Sequence, residues 1–236
     1  MSDWLIVFCL TFAAGLAMVV GGLLAAIEHI SNRWLETELR HTVIAFGGGI
    51  LVSAIALVLV HDGMRNLHAF FVVFSFGLGG LVFMGLDRFL HRKKEQVPQL
   101  AAMLLDFIPE VVALGAVYLL DKPYALLLGF LIVIQNIPEG FNAYLELRAA
   151  SRQKGRVIIG IFLLMSLLGP IAGLSGYFFL SDYPSIISGI MLFAAGGILY
   201  LVFQDIAPQA QLKRHWAPSF GAVLGFMLGL IGKILI

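Results

Sequence analysis

The chain has 236 residues, of which 60% are hydrophobic and only 12% are charged, and its formal net charge is +1. A soluble domain of this size carries about twice that share of charged residues. The composition therefore excludes a single soluble core and indicates a membrane protein with several spans. No basic stripe supports nucleic-acid binding, and the single cysteine, Cys9, excludes an intrachain disulfide framework.

Eight apolar runs are long enough to cross a bilayer, since a span needs about 20 mostly apolar residues. We predict these spans at residues 4–27, 42–61, 68–90, 99–120, 123–147, 157–180, 184–207 and 217–236. Short polar connectors separate them, and none is long enough to be a soluble domain. The predicted fold is one all-α, polytopic transmembrane domain over residues 1–236, with the lipid bilayer as its surroundings.

Lysine and arginine are distributed unevenly between the two sets of connectors. Twelve of the fifteen lie in or beside the connectors at residues 28–41, 91–98, 148–156 and 208–216. The other three are Arg65, Lys122 and Lys233. Because cytoplasmic connectors carry the excess of positive charge, we expect this basic end to be cytoplasmic. Eight spans then place both termini outside the cytoplasm.

One sequence signal occurs twice, in the fourth and fifth runs. The first copy is Asp-Phe-Ile-Pro-Glu at residues 106–110, and the second is Gln-Asn-Ile-Pro-Glu-Gly at residues 135–140. Each copy places a proline inside a helix, where it removes a backbone hydrogen bond. Each also places two oxygen-bearing side chains at positions i and i+4, on one helix face. Ionisable groups are costly in a membrane interior, so they usually face a partner, a cavity or an ion.

The tight turn at residues 121–123 makes the fourth and fifth runs antiparallel neighbours. Counted from the cytoplasmic end, Asp106 and Glu139 lie at nearly the same depth, and Glu110 and Gln135 share another. We expect Asp106 to meet Glu139 and Glu110 to meet Gln135. Three carboxylates this close repel each other or become protonated unless a cation lies among them. We therefore predict a metal site on a transport path; protonated carboxyl groups bonded between helices are the alternative.

Residues 135–140 resemble the fifth-span motif of the ZIP (Zrt-, Irt-like) metal transporters, and of their GufA-like bacterial branch in particular. Weaker similarities are Phe46-Gly47-Gly48-Gly49 in the second span and Gln204-Asp205-Ile206-Ala207-Pro208 in the seventh. The resemblance implies eight spans, exterior termini and a binuclear site between spans four and five. It also implies import of divalent zinc, iron or manganese across a bacterial inner membrane. Opposed repeats, spans one to three against six to eight, would rock around the fourth and fifth spans.

The carried-over principal site is Asp106, Glu110, Gln135 and Glu139. Asp106 stands where the family usually has histidine, Phe107 where it has asparagine, and Gly169 where its sixth-span glutamate is expected. Asn136 remains as the one candidate for a second metal, so the resemblance here implies a single metal. A ligand set of carboxylate and amide oxygens favours harder cations such as Mn²⁺, Mg²⁺ or Fe²⁺, while Zn²⁺ prefers a nitrogen or sulfur donor.

Three further residues are candidates for the metal path. His61 and Asp62 end the second run on the outer side, where they are either an entry pair or an interfacial polar cap. Asp205 lies near the cytoplasmic end of the seventh run, where it would receive metal that leaves the principal site.

The predicted function is secondary transport of a divalent metal cation (Zn, Mn or Fe), with no organic cofactor and no enzymatic activity. One alternative is a proton- or sodium-coupled carrier of another solute, which would use the same carboxylates as a relay. A ZIP-like chain that has lost metal transport is another. An intramembrane metalloenzyme would need a positioned base or nucleophile, and the central runs offer only Ser166. Whether the chain forms a homodimer stays open.

Overall fold

The structure, a computed structural model, describes residues 2–27, 33–91, 97–150, 154–213 and 215–235. The chain is 90% helical and contains no strand among the described residues, which confirms the all-α prediction. The helices are α1 (Asp3–Ile27), α2 (Arg33–Ala54), α3 (Val60–Gly63), α4 (Ala69–His91), α5 (Val97–Val117), α6 (Lys122–Ala150), α7 (Gly155–Ser166), α8 (Leu168–Phe179), α9 (Pro184–Leu201), α10 (Ala207–Ala210) and α11 (Ala217–Leu235).

Seven candidate spans are long and apolar enough to cross a membrane, which indicates an integral membrane protein. Within the described residues they are Asp3–Ile27, Thr37–Gly63, Ala69–Phe89, Lys122–Ala149, Gly155–Phe179, Pro184–Ala210 and Ala217–Leu235. The remaining predicted span, residues 99–120, corresponds to α5, which is a helix but is not among the seven. Residues 28–32, 92–96 and 151–153 of the predicted polar connectors lie outside the described residues.

Three candidate spans are interrupted. A π-helical segment at Ile55–Leu59 joins α2 to α3, and a second at Val202–Ile206 joins α9 to α10. The candidate span of residues 155–179 breaks at Leu167, where α7 ends and α8 begins. Each π-helical segment inserts one wider turn, which changes the direction of the side chains beyond it.

The helices pack as two bundles. Bundle A contains α1, α5, α6, α7 and α8, with α6 against α1 and α5 against α8. Bundle B contains α2, α3, α4, α9, α10 and α11, with α2 against α11 and α4 against α9. The bundles meet mainly where α2 lies on α6 and where α5 lies on α9. Each bundle mixes helices from both of the repeats that the resemblance implied, so the packed units differ from those repeats.

Glycines mark the closest helix approaches inside each bundle. A methyl group added to Gly21 would meet the backbone of Ile137, and one added to Gly115 would meet the backbone of Gly173. In bundle B an added methyl at Gly49 would meet the backbone of Ala222. Small residues let helix backbones touch in a bilayer, where no hydrophobic driving force brings helices together. Between the bundles, Gly47 instead packs on the side chain of Pro138.

Burial separates the central helices from those that would face lipid. In the span that contains α6, 67% of the most apolar window is buried, whereas the figure for α4 is 11%. Phe70, Phe71 and Val73 on α4 are largely exposed. These side chains are suited to contact with lipid chains. Most of the described acidic and amide side chains that are buried lie instead on α5 and α6, in the interior of the molecule.

Candidate functional site

Four of the predicted site residues lie on α5 and α6 and are removed from the surface. Glu110 and Gln135 are completely buried, and Asp106 is 6% exposed. Both carboxylate oxygens of Glu139 are also buried. Pro109 lies inside α5 and Pro138 inside α6, as the repeated motif required. The two helices therefore present carboxyl and amide groups to the interior of the bundle from either side.

Glu110 and Gln135 form a direct hydrogen bond. The amide nitrogen Nε2 of Gln135 donates to Oε2 of Glu110 over 2.7 Å, and both groups are buried. This contact joins α5 to α6 at the depth where the sequence placed both residues. A hydrogen bond between two buried polar groups fixes their orientation strongly because neither has water as an alternative partner.

Asp106 and Glu139 form the second pair. Their carboxyl groups lie within hydrogen-bonding range of each other. Oδ1 of Asp106 also accepts a hydrogen bond of 2.8 Å from the backbone N–H of Phe107. Two carboxylates at this range cannot both carry an uncompensated charge, so a proton or a cation has to lie between them.

The two pairs leave four buried oxygen atoms without a hydrogen-bond donor. These atoms are Oε1 of Glu110, Oε1 of Gln135, and Oε1 and Oε2 of Glu139. Among the described residues, no Lys or Arg forms an ion pair with Asp106, Glu110 or Glu139. Buried polar atoms are almost always paired in folded proteins, and an exception calls for a ligand, water or ion. Oxygen atoms without a donor are the kind of ligand that hard divalent cations bind in proteins.

A cavity of about 60 Å³ reaches the second pair from the basic end of the bundle. It lies between the bundles, with α2, α9 and α10 on one side and α5 and α6 on the other. Its lining residues are Ile44, Gly47, Gly48, Met103, Asp106, Pro138, Glu139, Asn142, Leu201, Asp205, Ile206 and Gln209. A space of this size holds a small number of water molecules, or an ion with part of its hydration shell.

The oxygen atoms of Asp106, Glu110, Gln135 and Glu139 do not form a complete coordination shell in this arrangement. The described residues contain no group of three or more His, Cys, Asp or Glu side chains placed to hold a metal ion. A cation between α5 and α6 therefore needs the amide oxygen of Gln135 besides carboxylates, or a closer approach of the three carboxyl groups. Rotation of the Gln135 amide would turn its oxygen toward Glu110 in place of its nitrogen.

Asn136 is engaged with another helix. Its amide nitrogen donates a hydrogen bond of 2.8 Å to the backbone carbonyl of Ala14 on α1, and the side chain is 1% exposed. This bond ties α6 to α1 inside bundle A. Asn136 is not among the residues that line the cavity.

Asp205 lines the same cavity as Asp106 and Glu139. It belongs to the π-helical segment Val202–Ile206, which is buried only at Val202. π-helical turns often mark functional positions because the extra residue redirects a side chain. The structure thus brings together Asp205 and the second carboxyl pair from opposite bundles.

His61 and Asp62 lie on α3, at the end of the molecule opposite the basic end, and do not line the cavity. Asp62 forms an ion pair with Arg65, with 2.7 Å between Oδ1 and Nε. Nε2 of His61 lies 3.4 Å from Nη2 of the same arginine. A guanidinium group that already contacts both side chains opposes the arrival of another cation, so this pair fits a polar helix end better than an entry site.

Gly169 on α8 packs against the ring of Phe107 on α5. Phe107 is completely buried, and a methyl group added to Gly169 would come within 2.9 Å of its Cζ. The same methyl group would also meet the backbone carbonyl of Thr11. No side chain larger than hydrogen fits at position 169 without a shift of α1 or of the Phe107 ring. This part of the interior, next to Asp106, is therefore filled by an aromatic ring and a backbone carbonyl group.

Sequence reasoning missed a polar group at the basic end of the cavity. Arg40 was assigned to a charged connector, but it lies on α2 and reaches Asn142 of α6. Asn142 and Glu146 follow Glu139 by three and seven residues, and this spacing on one helix face could have indicated them. Nothing in the sequence indicated that Gln209 would join them.

Comparison with known proteins adds no identification. A scan against models of protein families found no match, and a search of curated proteins found no significant match. The function of the chain is therefore inferred from its residues and contacts.

Proposed function

We propose that the chain is a secondary transporter of divalent metal cations that works toward the cytoplasm. The cation would bind between α5 and α6 at Asp106, Glu110, Gln135 and Glu139. It would then leave through the cavity past Asp205. In this proposal α5 is the fourth span and completes the set of eight, both termini lie outside the cytoplasm, and the chain is not an enzyme.

The observation that carries the proposal is the set of four buried oxygens without donors on Glu110, Gln135 and Glu139. A buried polar atom without a partner costs about 1–3 kcal/mol, and more if it is charged. Because several such atoms lie together, a bound cation is expected to lower the free energy of the folded chain. Carboxylate and amide oxygens are the donors that Mn²⁺, Mg²⁺ and Fe²⁺ accept most readily.

The resemblance to ZIP transporters supports the same cargo. It also assigns Phe107 and Gly169 to positions where that family holds a second metal. Phe107 and the backbone of Thr11 occupy the space beside Gly169. An aromatic ring and a carbonyl group leave no carboxylate there, so the proposed site takes a single cation.

Uptake into vesicles tests the proposal directly. The purified chain is reconstituted and challenged with Mn²⁺, Fe²⁺, Zn²⁺, Co²⁺ and Mg²⁺ in turn. We expect uptake of at least one of these ions and its loss in Glu110→Ala and Glu139→Ala. Asp182→Ala, which removes an exposed carboxylate, is the matched control and should leave uptake unchanged. Uptake that is indifferent to both glutamate substitutions contradicts the proposal.

A change of donor at position 106 tests the choice of metal. Asp106→His adds an imidazole nitrogen to an all-oxygen set, and nitrogen donors favour Zn²⁺ over Mn²⁺. We expect uptake in competition experiments to shift from Mn²⁺ toward Zn²⁺. An unchanged order of preference would show that the oxygen donors do not set selectivity.

A second candidate function is proton-coupled carriage of another solute. The contact between the carboxyl groups of Asp106 and Glu139 favours it, because a shared proton satisfies two acids as well as a cation does. Substrate-driven acidification of the vesicle interior without any metal dependence would select this function over metal transport.

A further inference from the structure

The cavity that leads away from the second carboxyl pair is bridged at its basic end by hydrogen bonds between the two bundles. Nη2 of Arg40 on α2 donates to Oδ1 of Asn142 on α6 over 3.2 Å. Nδ2 of Asn142 donates in turn to Oε1 of Gln209 on α10 over 2.8 Å. Arg40 and Gln209 belong to bundle B and Asn142 to bundle A, so both bonds cross the boundary on which the cavity lies.

Asn142 is the centre of this arrangement. It is 7% exposed, and its amide nitrogen makes a further bond of 2.9 Å to Oε1 of Glu146, one turn along α6. Its oxygen and its nitrogen are thus both in use. An amide held on three sides has a fixed position, and Asn142 lies only one turn from Glu139. Asn142 and Gln209 both line the cavity, so the bond between them lies on its wall at this end.

Arg40 is the charged member of this hydrogen-bonded group of three side chains. The guanidinium group acts electrostatically on Glu146, and Asp205 acts on the same carboxylate from bundle B. Nε of Arg40 is buried and has no hydrogen-bond partner. A fixed positive charge and a mobile cation repel each other when they occupy the same few ångströms. The charge of Arg40, next to Asn142, therefore opposes the passage of a cation at this end of the cavity.

We infer that Arg40, Asn142 and Gln209 form a latch that closes the cavity at its basic end and opens when Arg40 leaves Asn142. The latch holds α2 and α10 against α6, so its release would let the two bundles separate at this end. The inference that it gates a cation rests on the proposed function; the closure itself does not.

Accessibility of a cavity residue tests the latch. Met103 lines the cavity and is 3% exposed. Met103→Cys is placed in a Cys9→Ser background, since Cys9 is an exposed thiol. The probe is a trimethylammonium methanethiosulfonate reagent, added to either face of reconstituted vesicles. Arg40→Gln is expected to raise the labelling rate about tenfold from one face, because a hydrogen bond to a charged group is worth about one decade.

Further variants separate the latch from a general loss of structure. Gln209→Ala removes the neutral bond and should also raise labelling, while Arg88→Gln, which removes an exposed charge from α4, should not. Arg40→Gln should add little to Asn142→Ala, because loss of the Asn142 amide already breaks the contact with Arg40. Labelling that Arg40→Gln leaves unchanged, or raises equally from both faces, would overturn the latch.

Mn²⁺ uptake by the unsubstituted chain, measured in the same kind of vesicle, separates the latch from the proposed function. Labelling that depends on Arg40 in a chain that takes up no cation would remove the transporter and leave the latch. Uptake in a chain whose labelling ignores Arg40 would remove the latch and leave the transporter.

Discussion

At the scale of single residues, charge compensation decides the character of the site. Two unit charges about 4 Å apart repel by about 4 kcal/mol at an effective dielectric constant of about 20. Asp106, Glu110 and Glu139 share one buried region, in which Gln135 donates to Glu110 and the carboxyl groups of Asp106 and Glu139 lie within hydrogen-bonding range of each other. All three carboxyl groups cannot be ionised together without a cation. In the proposed function, a bound cation would compensate this repulsion.

Glu110→Gln is expected to raise stability in the absence of metal. The substitution keeps the shape of the side chain and an oxygen that can accept from Gln135, but it removes a buried, incompletely paired carboxylate. Such a group costs roughly 1–3 kcal/mol. Thermal unfolding in detergent should show a higher midpoint for the variant. Asp182→Asn, at an exposed position, should change stability by less than about 0.5 kcal/mol. A clear loss of stability in Glu110→Gln would mean that the carboxylate is structural.

Gly169→Ala is expected to destabilise the chain by about 1–3 kcal/mol through overpacking. The added methyl would meet the backbone of Thr11 and the ring of Phe107. At Gly160, on the same predicted span, an added methyl meets nothing within 4 Å. Gly160→Ala should therefore be neutral or stabilising, since alanine favours a helix over glycine by about 1 kcal/mol. Equal midpoints for the two variants would contradict the packing described beside Asp106.

At the scale of helices, two prolines shape the site. Pro138 removes the donor for the carbonyl of Ile134 and lies between Gln135 and Glu139. Its ring also fills the space over Gly47, so a methyl group added there would come within 2.9 Å of Cγ. The proline therefore sets both the direction of the Glu139 side chain and the approach of α2.

Pro138→Ala is expected to preserve or raise stability while it weakens transport. The substitution restores a helical hydrogen bond, and an interior proline costs about 3 kcal/mol. It also lets α6 straighten, which moves Glu139 relative to Asp106. Because misplacement by about 1 Å can cost about a hundredfold in a positioned site, we expect Mn²⁺ uptake to fall at least about tenfold. Pro184→Ala, at the start of α9 where proline is well tolerated, is the control. Unchanged uptake in Pro138→Ala would contradict this role.

The hydropathy of the sequence predicted where the helices lie along the chain, but it did not predict which helices pack against each other. The predicted starts at residues 4, 68 and 184 lie within one residue of the observed starts at Asp3, Ala69 and Pro184. The matched depths on either side of the turn at residues 121–123 also indicated that Glu110 would meet Gln135. The π-helical segments, the break at Leu167 and the two bundles were not predicted. The packing into bundles depends on which glycine faces which backbone, and glycines scattered over most spans carry no periodic signal for that choice.

At the scale of the whole molecule, the division into two bundles gives the site its surroundings. Bundle A supplies the four proposed ligands, and bundle B supplies Asp205 and one wall of the cavity. Glycine-to-backbone contacts join pairs of helices inside each bundle, such as α1 with α6 and α2 with α11, whereas Gly47 of α2 meets the side chain of Pro138 on α6. The cavity lies along the boundary between the bundles. In the proposed function, the cation would cross by relative movement of the two bundles along this boundary.

The proposed function depends on the binding of one divalent cation among Asp106, Glu110, Gln135 and Glu139. Equilibrium dialysis of the purified chain against radioactive Mn²⁺ tests it most directly, because it counts bound ions without requiring transport. The predicted result is one ion per chain, with binding abolished in Glu110→Gln and Glu139→Gln and retained in Asp182→Asn. Binding that survives both glutamate substitutions, or a count of two ions per chain, would contradict the account.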